Sequence, residues 1–545
     1  MLSDVGRIWS GGAVLKFWLS VLMLLSLAAG PVLAWQDPAA SGEEGVEAAE
    51  EPARPDYVRL DVWAQRLSGW TPQTIATLAD LLHDAPSHGL PDQGPVADAL
   101  MDPNRSLAER RDLASRAALR YAGWLEYGLM DPEQYGPRGL YQNEASYLVS
   151  RLQDGLDEGR LVPVFAEREP QVRDYGILRM EMLRMLTLRP IWPEIAPGSS
   201  LRFGDSGVRV DQLRARLAAE GLLLADWEEG APYDTRLETA VRRYQGRVNL
   251  SPTGRLDQPT LRQLNISPQQ RIDQLQANLE QRRWRTRQLG QRHIWVNLAD
   301  FRLEAWRDGR LEREHEVMIG GQASSTPEFS EEMQYIVLNP WWGLPAGSAR
   351  SRFQSMRRNP RIADQYGFRI FNASGQAISV YEIDWSRWGD SWPYRMSQPP
   401  GPTNPMGEVK FIFPNRHNVY IHDTIERDRF VRTRRDFSAG CIRVQDPLAL
   451  AEWVLDGQDG WSRERIDSVV SGSDPTVVWL DNRIPVHIAY WTVVGDTDGR
   501  VRYLHDLYRR DSRVIEAYAE QVDAFAESFP VPRSGQGVTG VSVRR

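Results

Sequence analysis

Apolar positions recur at helical spacing from about residue 55 to residue 200, most plainly in SLAERRDLASRAALRYAGWLEYGL and YGILRMEMLRMLTL. A stripe of this period marks helices that bury one face, so the spacing predicts a helical domain over 55–200. A smaller unit follows at 201–266. There FGDSGVRVDQLRARLAAEGLLL predicts a turn and a helix with Val210, Leu213 and Leu217 on one face, and LETAVRRYQGRVNLSPTGRLDQPTLRQL predicts a second helix, a turn at Gly254 and a short third helix. Residues 267–290 predict one polar-faced helix. From His293 the period drops to two: HIWVNLADFRLEAWRDGRLEREHEVMIGG alternates apolar with polar around an Asp308-Gly309 turn, the pattern of a β-hairpin. This texture persists past Cys441; a helix (LALAEWVL) and further strands (PTVVWL, VHIAYWTVV) complete a mostly β domain over 291–511, and 512–545 predicts a C-terminal helix with a disordered tail. The fold class predicted is α+β and multi-domain, as a chain of 545 residues, too long for one core, requires.

Charge and composition narrow the picture. The net charge of -8 carries no basic footprint, so nucleic acid is not an expected partner. The basic residues are nearly all arginine; Lys16 and Lys410 are the two lysines, and no function follows from that bias by itself. Arg7 and Lys16 precede an apolar run from Phe17 to Ala29, and PVLA ends at Ala34 with a small-x-small pattern. This reads as a secretory signal, or as an uncleaved anchor in the inner membrane, over residues 1–34. The run alone is short of the roughly 20 apolar residues of a spanning helix, but extension from Ala13 to Ala34 makes a span possible. Residues 35–54, rich in Ala, Glu, Gly and Pro, predict a flexible acidic tether. The body is then expected outside the cytoplasm, in the periplasm of a bacterial envelope. With one cysteine, Cys441, it forms no internal disulfide. A lone cysteine is either a small buried hydrophobe or a reactive thiol.

The neighbours of Cys441 favour the thiol. Tyr420-Ile421-His422-Asp423-Thr424 is followed by IERDRFVRTRRDF and then Ser438-Ala439-Gly440-Cys441-Ile442-Arg443-Val444. A thiol is weakly ionised at neutral pH and needs a base or a cation beside it; a histidine supplies both and can return the proton to a leaving amine. Gly440 leaves room for substrate and can offer its N–H to an oxyanion. Arg443, two residues on, faces the same side of an extended segment and can hold a carboxylate.

This stretch resembles the catalytic motif of the L,D-transpeptidase (YkuD-type) family: a histidine, then Ser/Thr-x-Gly-Cys-apolar-Arg/Asn. His422, Ser438, Gly440, Cys441, Ile442 and Arg443 match. Many relatives carry a second histidine where this chain has Ala439, which leaves His422 as the candidate base in the motif. The likeness to a larger envelope subgroup (YcbB-like) extends through Ala85, His88-Gly89-Leu90 and Leu119-Arg120-Tyr121, through Asn339-Pro340-Trp341-Trp342 and Pro400-Gly401-Pro402-Thr403-Asn404 with Gly407 and Lys410-Phe411, to Ile484-Pro485-Val486-His487 with Tyr490-Trp491-Thr492. The unit at 201–266 resembles the peptidoglycan-binding type 1 module through Gly204, Gly207, Ala240-Val241, Tyr244-Gln245, Gly254 and Thr260-Leu261. The alternative for that unit is a spacer that no longer binds glycan.

The resemblance implies a reaction and roles. Cys441 is the nucleophile and His422 the base; Gly440, Ser438 and Asp423 support the site or its oxyanion; Arg443, Tyr420 and Trp341 meet substrate. Cys441 attacks the third-residue carbonyl of a tetrapeptide stem, releases D-alanine and forms a thioester that a neighbouring stem's amine resolves into a 3→3 cross-link. Acylation by carbapenems is implied with it. Peptidoglycan stems and glycan strands are the implied partners. A lid at about 345–395 is also implied, with Phe353, Tyr366, Trp385, Trp388 and Trp392 either covering a peptide groove or packing the lid onto the barrel. No cofactor is expected and no metal site is proposed, since HNVYIH lacks H-E-x-x-H spacing. His417 is expected in an exposed loop, His83 and His88 to be structural, and His487 to be core or site-supporting.

Rivals remain to be weighed. A penicillin-binding serine enzyme needs S-x-x-K and K-T-G, and neither lysine supports them. A glycan hydrolase needs a carboxylate pair, and no pair stands out. A non-catalytic wall-binding scaffold would have no need of both Cys441 and His422. An L,D-carboxypeptidase of the same fold, with water as acceptor, is not separated by sequence.

Overall fold

The structure, a computed structural model, describes residues 63–130, 145–285, 288–344, 346–387 and 394–528. The expected signal or anchor, the acidic tether, Trp388 and Trp392 of the lid, and the C-terminal tail lie outside the described residues. No helix among the described residues is long and apolar enough to cross a membrane.

Capped starts define the first helices. Thr71 and Ser106 each form a reciprocal capping box, and Pro72–His83 and Leu107–Tyr127 begin directly after them. With Ala145–Asp157 and Leu161–Ala166 these helices enclose a core that includes Ile75, Leu78, Leu82, Ala118, Leu152 and Phe165. The helix Tyr175–Leu188 leads on towards the small unit, whose helices are Val208–Ala219, Thr235–Arg247 and Gln258–Leu264. That unit has its own core, with Val210, Leu213, Leu217, Val241 and Leu264 fully buried. Entry and exit are tied together: the Asn265 side chain accepts from the Ile195 N–H at 3.0 Å and donates to the Ile195 carbonyl at 2.8 Å.

The next helix, Pro268–Arg283, occupies most of the stretch 267–290 that predicts one polar-faced helix. It stops at Arg283, and nearly all of its second half is buried. Polar side chains tolerate this because each finds a partner. Arg282 grips Asp174 through two bonds of 3.0 and 2.6 Å and also donates to the Val493 carbonyl. Glu280 accepts from the N–H groups of Leu129 and Met130. The Asn278 side-chain oxygen accepts from the N–H groups of Thr492 and Val493. The second half of the helix therefore faces protein on nearly every side and joins the helical region to the β domain. The C-terminal helix Arg510–Ser528 packs on it through Val514, Ala517 and Tyr518.

The β domain opens with β1 (Arg292–Asn297), β2 (Arg302–Arg307), β3 (Arg310–Met318) and β4 (Phe329–Leu338). The chain then leaves for the lid, with β5 (Trp342–Gly343), β6 (Arg369–Phe371), β7 (Ala377–Ile378) and β8 (Arg395–Gln398). It returns as β9 (Val409–Ile412), β10 (Ile421–His422), β11 (Ile442–Val444) and β12 (Thr476–Ala489), and ends on the hairpin β13 (Val493–Gly495) and β14 (Val501–Tyr503). The order β1-β12-β4-β9-β10-β11-β3-β2 closes a barrel. The predicted hairpin is β2–β3, with Asp308 and Gly309 both at positive φ as a tight turn requires. The strands expected at PTVVWL and VHIAYWTVV are less separate than the sequence pattern suggests. PTVVWL and the start of the second segment are one bulged strand, β12, whose register against β4 shifts between Trp479 and Ile484.

The lid is a small layer with its own core of Met356, Phe368, Ile370, Ile383 and Met396. Phe353 stacks on Trp385 with ring centroids 5.3 Å apart, and Tyr366 meets Phe368 at 6.1 Å. These rings thus pack within the lid. Both ends of the insertion sit side by side, since Trp342 pairs with Gln398. The fully buried Asn404 donates to the carbonyls of Pro340 on the way in (2.9 Å) and Pro399 on the way out (3.1 Å).

Candidate active site

Three adjacent strands place the candidate residues. Phe411, Ile421 and Ile442 lie side by side across β9, β10 and β11 and are fully buried in the barrel. Side chains alternate along a strand, so the flanking positions turn to the barrel's outer face. His422 stands there, opposite Lys410 on one side and Arg443 on the other. Tyr420 and Cys441, one step earlier on their strands, share that face, and the Ile442 N–H donates to the Tyr420 carbonyl at 3.1 Å.

The thiol of Cys441 is half-buried and lies 3.8 Å from the Asn418 carbonyl oxygen. Burial pushes it above the ordinary thiol value, while hydrogen bonding at Tyr420 and the charges of Lys410 and Arg443 pull the other way. His422 is buried, and burial, with help from Arg443 and Lys410, holds its imidazole down at about 3. At neutral pH it is an uncharged base. Its Nδ1 has no partner among the described residues, as a nitrogen that must take up a proton requires. At rest the site therefore holds a thiol and a neutral imidazole. Lys410 is 6% exposed and its ammonium sits 4.0 Å from the Tyr420 ring centroid; that ring in turn lies 5.7 Å from His422.

The turn before Cys441 is held from both sides. Ser438 donates to the Cys441 carbonyl and accepts from the Gly440 N–H at 3.0 Å. The Gly440 N–H is thus engaged within the turn. The residue's structural role is its backbone: φ is +127°, a conformation other residues rarely adopt. The Cys441 N–H, by contrast, donates to no acceptor among the described residues. Behind the turn, buried Thr326 accepts from the Gly320 N–H at 3.0 Å and donates to the Gly440 carbonyl at 2.8 Å. Tyr508 reaches in from near the C-terminal helix and donates to the Gly320 carbonyl at 2.6 Å.

Asp423 is fully buried behind His422. It accepts from the Glu408 N–H at 2.9 Å and from Arg427 at 2.7 Å. A side chain at Gly407 would place its Cβ 2.1 Å from this carboxylate, which explains the glycine there. Arg443 is ion-paired with Glu426 rather than with Asp423 or Asp436, and Glu426 is shared with Arg429. Its charge is thus partly offset but stays on the thiol's face. Trp341 stands apart. It is half-buried where the chain leaves β4 for the lid, and among the described residues it makes no ring contact or hydrogen bond with the thiol cluster.

The remaining histidines fall elsewhere. His487 is buried, with Nδ1 on Ser330 and Nε2 on the Leu289 carbonyl. His88 is buried against the Tyr175 hydroxyl at 2.9 Å, His417 is exposed, and no group of ligating side chains suited to a metal occurs among the described residues. Sequence reasoning missed Lys410, Thr326 and Tyr508 as parts of the site. Lys410 did leave a signal: it is one of two lysines in a chain that otherwise uses arginine. Thr326 and Tyr508 left none, because only the fold brings them to residue 440.

Comparison with known proteins agrees with this layout. Residues 291–497 match the "L,D-transpeptidase catalytic domain" family, residues 206–264 the "Putative peptidoglycan binding domain" family, and residues 62–182 the "Scaffold domain" family. A Haemophilus influenzae protein named "Putative L,D-transpeptidase" is 28% identical over 222 residues, which is 41% of this chain and 45% of that protein. The chain thus aligns with less than half the length of this curated relative. Among solved structures, an L,D-transpeptidase from Xylanimonas cellulosilytica is 14% identical, covering 54% of this chain and 100% of its own, with a TM-score of 0.18. One from Stackebrandtia nassauensis is 12% identical, covering 55% of this chain and 97% of its own, also with a TM-score of 0.18.

Proposed function

We propose, from the premise that residues 291–497 are an L,D-transpeptidase catalytic domain, that this chain cross-links peptidoglycan stem peptides in the bacterial envelope through a thioester on Cys441. The observation that carries the reading is the shared outer face of β10 and β11, which sets the single thiol of the chain beside a neutral imidazole whose Nδ1 has no partner among the described residues. Substrate binding brings a stem carbonyl to Cys441. His422 takes the thiol proton as the sulfur adds to the carbon. The oxyanion lies against the free Cys441 N–H. Collapse expels D-alanine, to which His422 returns the proton, and leaves the thioester. A neighbouring stem's amine then adds and restores the thiol, leaving a 3→3 cross-link. Lys410 and Arg443 favour the thiolate as it forms, and Arg443 with Tyr420 faces the carboxylates of the stem. The three-helix unit holds the glycan strand and raises the local concentration of stems. The N-terminal segment carries the chain to, or anchors it in, the inner membrane.

Incubation of the protein with disaccharide-tetrapeptide, followed by mass spectrometry, tests the reaction. A dimer is the expected product; tripeptide without dimer indicates the carboxypeptidase, and unchanged substrate the non-catalytic scaffold. Cys441→Ala should abolish turnover without lowering the melting temperature, and a carbapenem should add one covalent adduct to the wild type and none to this variant.

A further inference from the structure

Three consecutive peptide groups carry the candidate nucleophile, and they are pinned differently. Ser438 fixes the outer two: its hydroxyl accepts from the Gly440 N–H at 3.0 Å and donates to the Cys441 carbonyl. The Ile442 N–H adds a bond to the Tyr420 carbonyl at 3.1 Å. The middle group joins the Gly440 carbonyl to the Cys441 N–H, and Ser438 bonds to neither of these. Among the described residues its one hydrogen bond comes from Thr326, whose hydroxyl donates to the Gly440 carbonyl at 2.8 Å. A trans peptide is planar, so its C=O and N–H point in opposite directions. Anchoring the carbonyl on Thr326 therefore turns the Cys441 N–H away from that buried residue, and there it meets no acceptor among the described residues. Gly440 offers little resistance of its own to a rotated peptide, because a residue without Cβ allows many backbone angles.

Thr326 is itself held so that this bond is the one it gives. A hydroxyl has a single proton to donate. Its oxygen accepts from the Gly320 N–H at 3.0 Å, which leaves the proton for Gly440. Its backbone is tied to the segment before the C-terminal helix: the Thr326 N–H donates to the Tyr508 hydroxyl at 3.3 Å, and the Thr326 carbonyl accepts from Arg510 at 2.9 Å. Tyr508 also donates to the Gly320 carbonyl at 2.6 Å and stacks on Tyr490 with ring centroids 5.0 Å apart. Tyr508 and Arg510 lie past residue 497, where the matched catalytic segment ends. We infer that Thr326 is a positioning residue for acyl transfer, aiming the Cys441 N–H at the oxyanion, and that Tyr508 holds Thr326 in place from outside the matched segment. The inference rests on the proposal that Cys441 attacks a carbonyl, but its test needs no peptidoglycan.

Two thiol probes separate aim from reactivity. With iodoacetamide the sulfur bonds to a saturated carbon as iodide leaves, and no oxyanion forms. With p-nitrophenyl acetate the sulfur adds to the carbonyl carbon, the oxygen takes the charge, and collapse expels nitrophenolate and leaves an acetyl thioester. The thiol gives up its proton in both, so a change in thiol acidity moves both rates. Loss of a whole oxyanion donor costs about 10²–10³ in rate, and a donor that keeps its proton but loses its aim should cost less. In the full chain, with the Cys441→Ala rate subtracted, Thr326→Val should slow the ester reaction about tenfold and leave the iodoacetamide rate and its pH midpoint unchanged. Thr326→Ser keeps the hydroxyl and should keep the wild-type ratio of the two rates. Tyr508→Phe keeps the ring stack and should shift the ratio in the same direction by a smaller factor. If both rates fall together in Thr326→Val, or neither changes, the inference is overturned. Should Thr326→Val not fold, Tyr508→Phe decides, and a wild-type ratio there overturns it. A wild-type protein that joins no tetrapeptides would count against the proposed reaction and leave this ratio as it stands.

Discussion

Burial opposes ionisation of the thiol at Cys441 and protonation of the imidazole at His422, so both groups are biased towards their neutral forms. The pH behaviour follows. Alkylation of Cys441 by iodoacetamide should rise with pH, with a midpoint above that of free cysteine, since only the thiolate reacts. Lys410→Met removes a charge that favours the thiolate and should move the midpoint further up, while Lys410→Arg should keep it near the wild type. A wild-type midpoint below that of free cysteine would mean that the pair is charged at rest. The stability effect of His422 has the opposite direction to that of a paired histidine. Its folded value is about 3 against an ordinary 6.5, so in that interval the unfolded chain binds the proton and the folded chain does not. His422 therefore subtracts stability as pH falls through this window, and His422→Gln should flatten the acid limb of the melting curve.

At the scale of elements, the two insertions are separable pieces with clasped roots. The lid leaves and re-enters the barrel at paired residues, Trp342 and Gln398, and Asn404 ties both roots. Replacing residues 344–396 with an Asn-Gly turn should leave a folded barrel, because the lid's core is its own. Calorimetry should show one transition near the wild-type temperature, and the rate on tetrapeptide should fall. A barrel that no longer melts cooperatively would show that the lid belongs to its core. Elements of this kind were legible in the sequence wherever one period ran long: the helices Leu107–Tyr127 and Tyr175–Leu188, and the β2–β3 hairpin with its Asp-Gly turn. The helix Pro268–Arg283 was legible as a helix but not as a buried one, because periodicity registers burial only through apolar residues, and this helix is buried through paired Arg, Glu and Asn. Of the site, the thiol, imidazole and serine were legible because they lie within one short motif. Arg443 was legible as a residue, but its partner Glu426 was not. Thr326 and Tyr508 lie far from the motif in the chain and meet it only when β3 and the C-terminal segment fold back.

The whole molecule is organised about one buried polar helix. Arg282 is fully buried on Asp174 and lies 4.0 Å from the Trp491 ring centroid, so it touches the helical region and the β domain together. Arg282→Met strands a buried carboxylate and should cost about 3–5 kcal/mol, whereas Arg282→Met with Asp174→Leu should recover much of that loss. Thermal melts of the two singles and the double measure the coupling, and additive losses would deny it. The same helix is continuous with the three-helix unit: Ser267 caps it directly after that unit's last helix, and Asn265 closes the entry and exit of the unit on each other. Among the described residues, no slack chain lies between that unit and this helix, on which the β domain packs. A strand gripped by that unit is presented to the thiol at one fixed reach, and the protein then behaves as a gauge, with the interval between junctions along a strand set by its own dimensions. Cutting the Asn265 clasp, or adding Gly-Ser residues between Ile266 and Ser267, would loosen that gauge and scatter the intervals while each junction is still made.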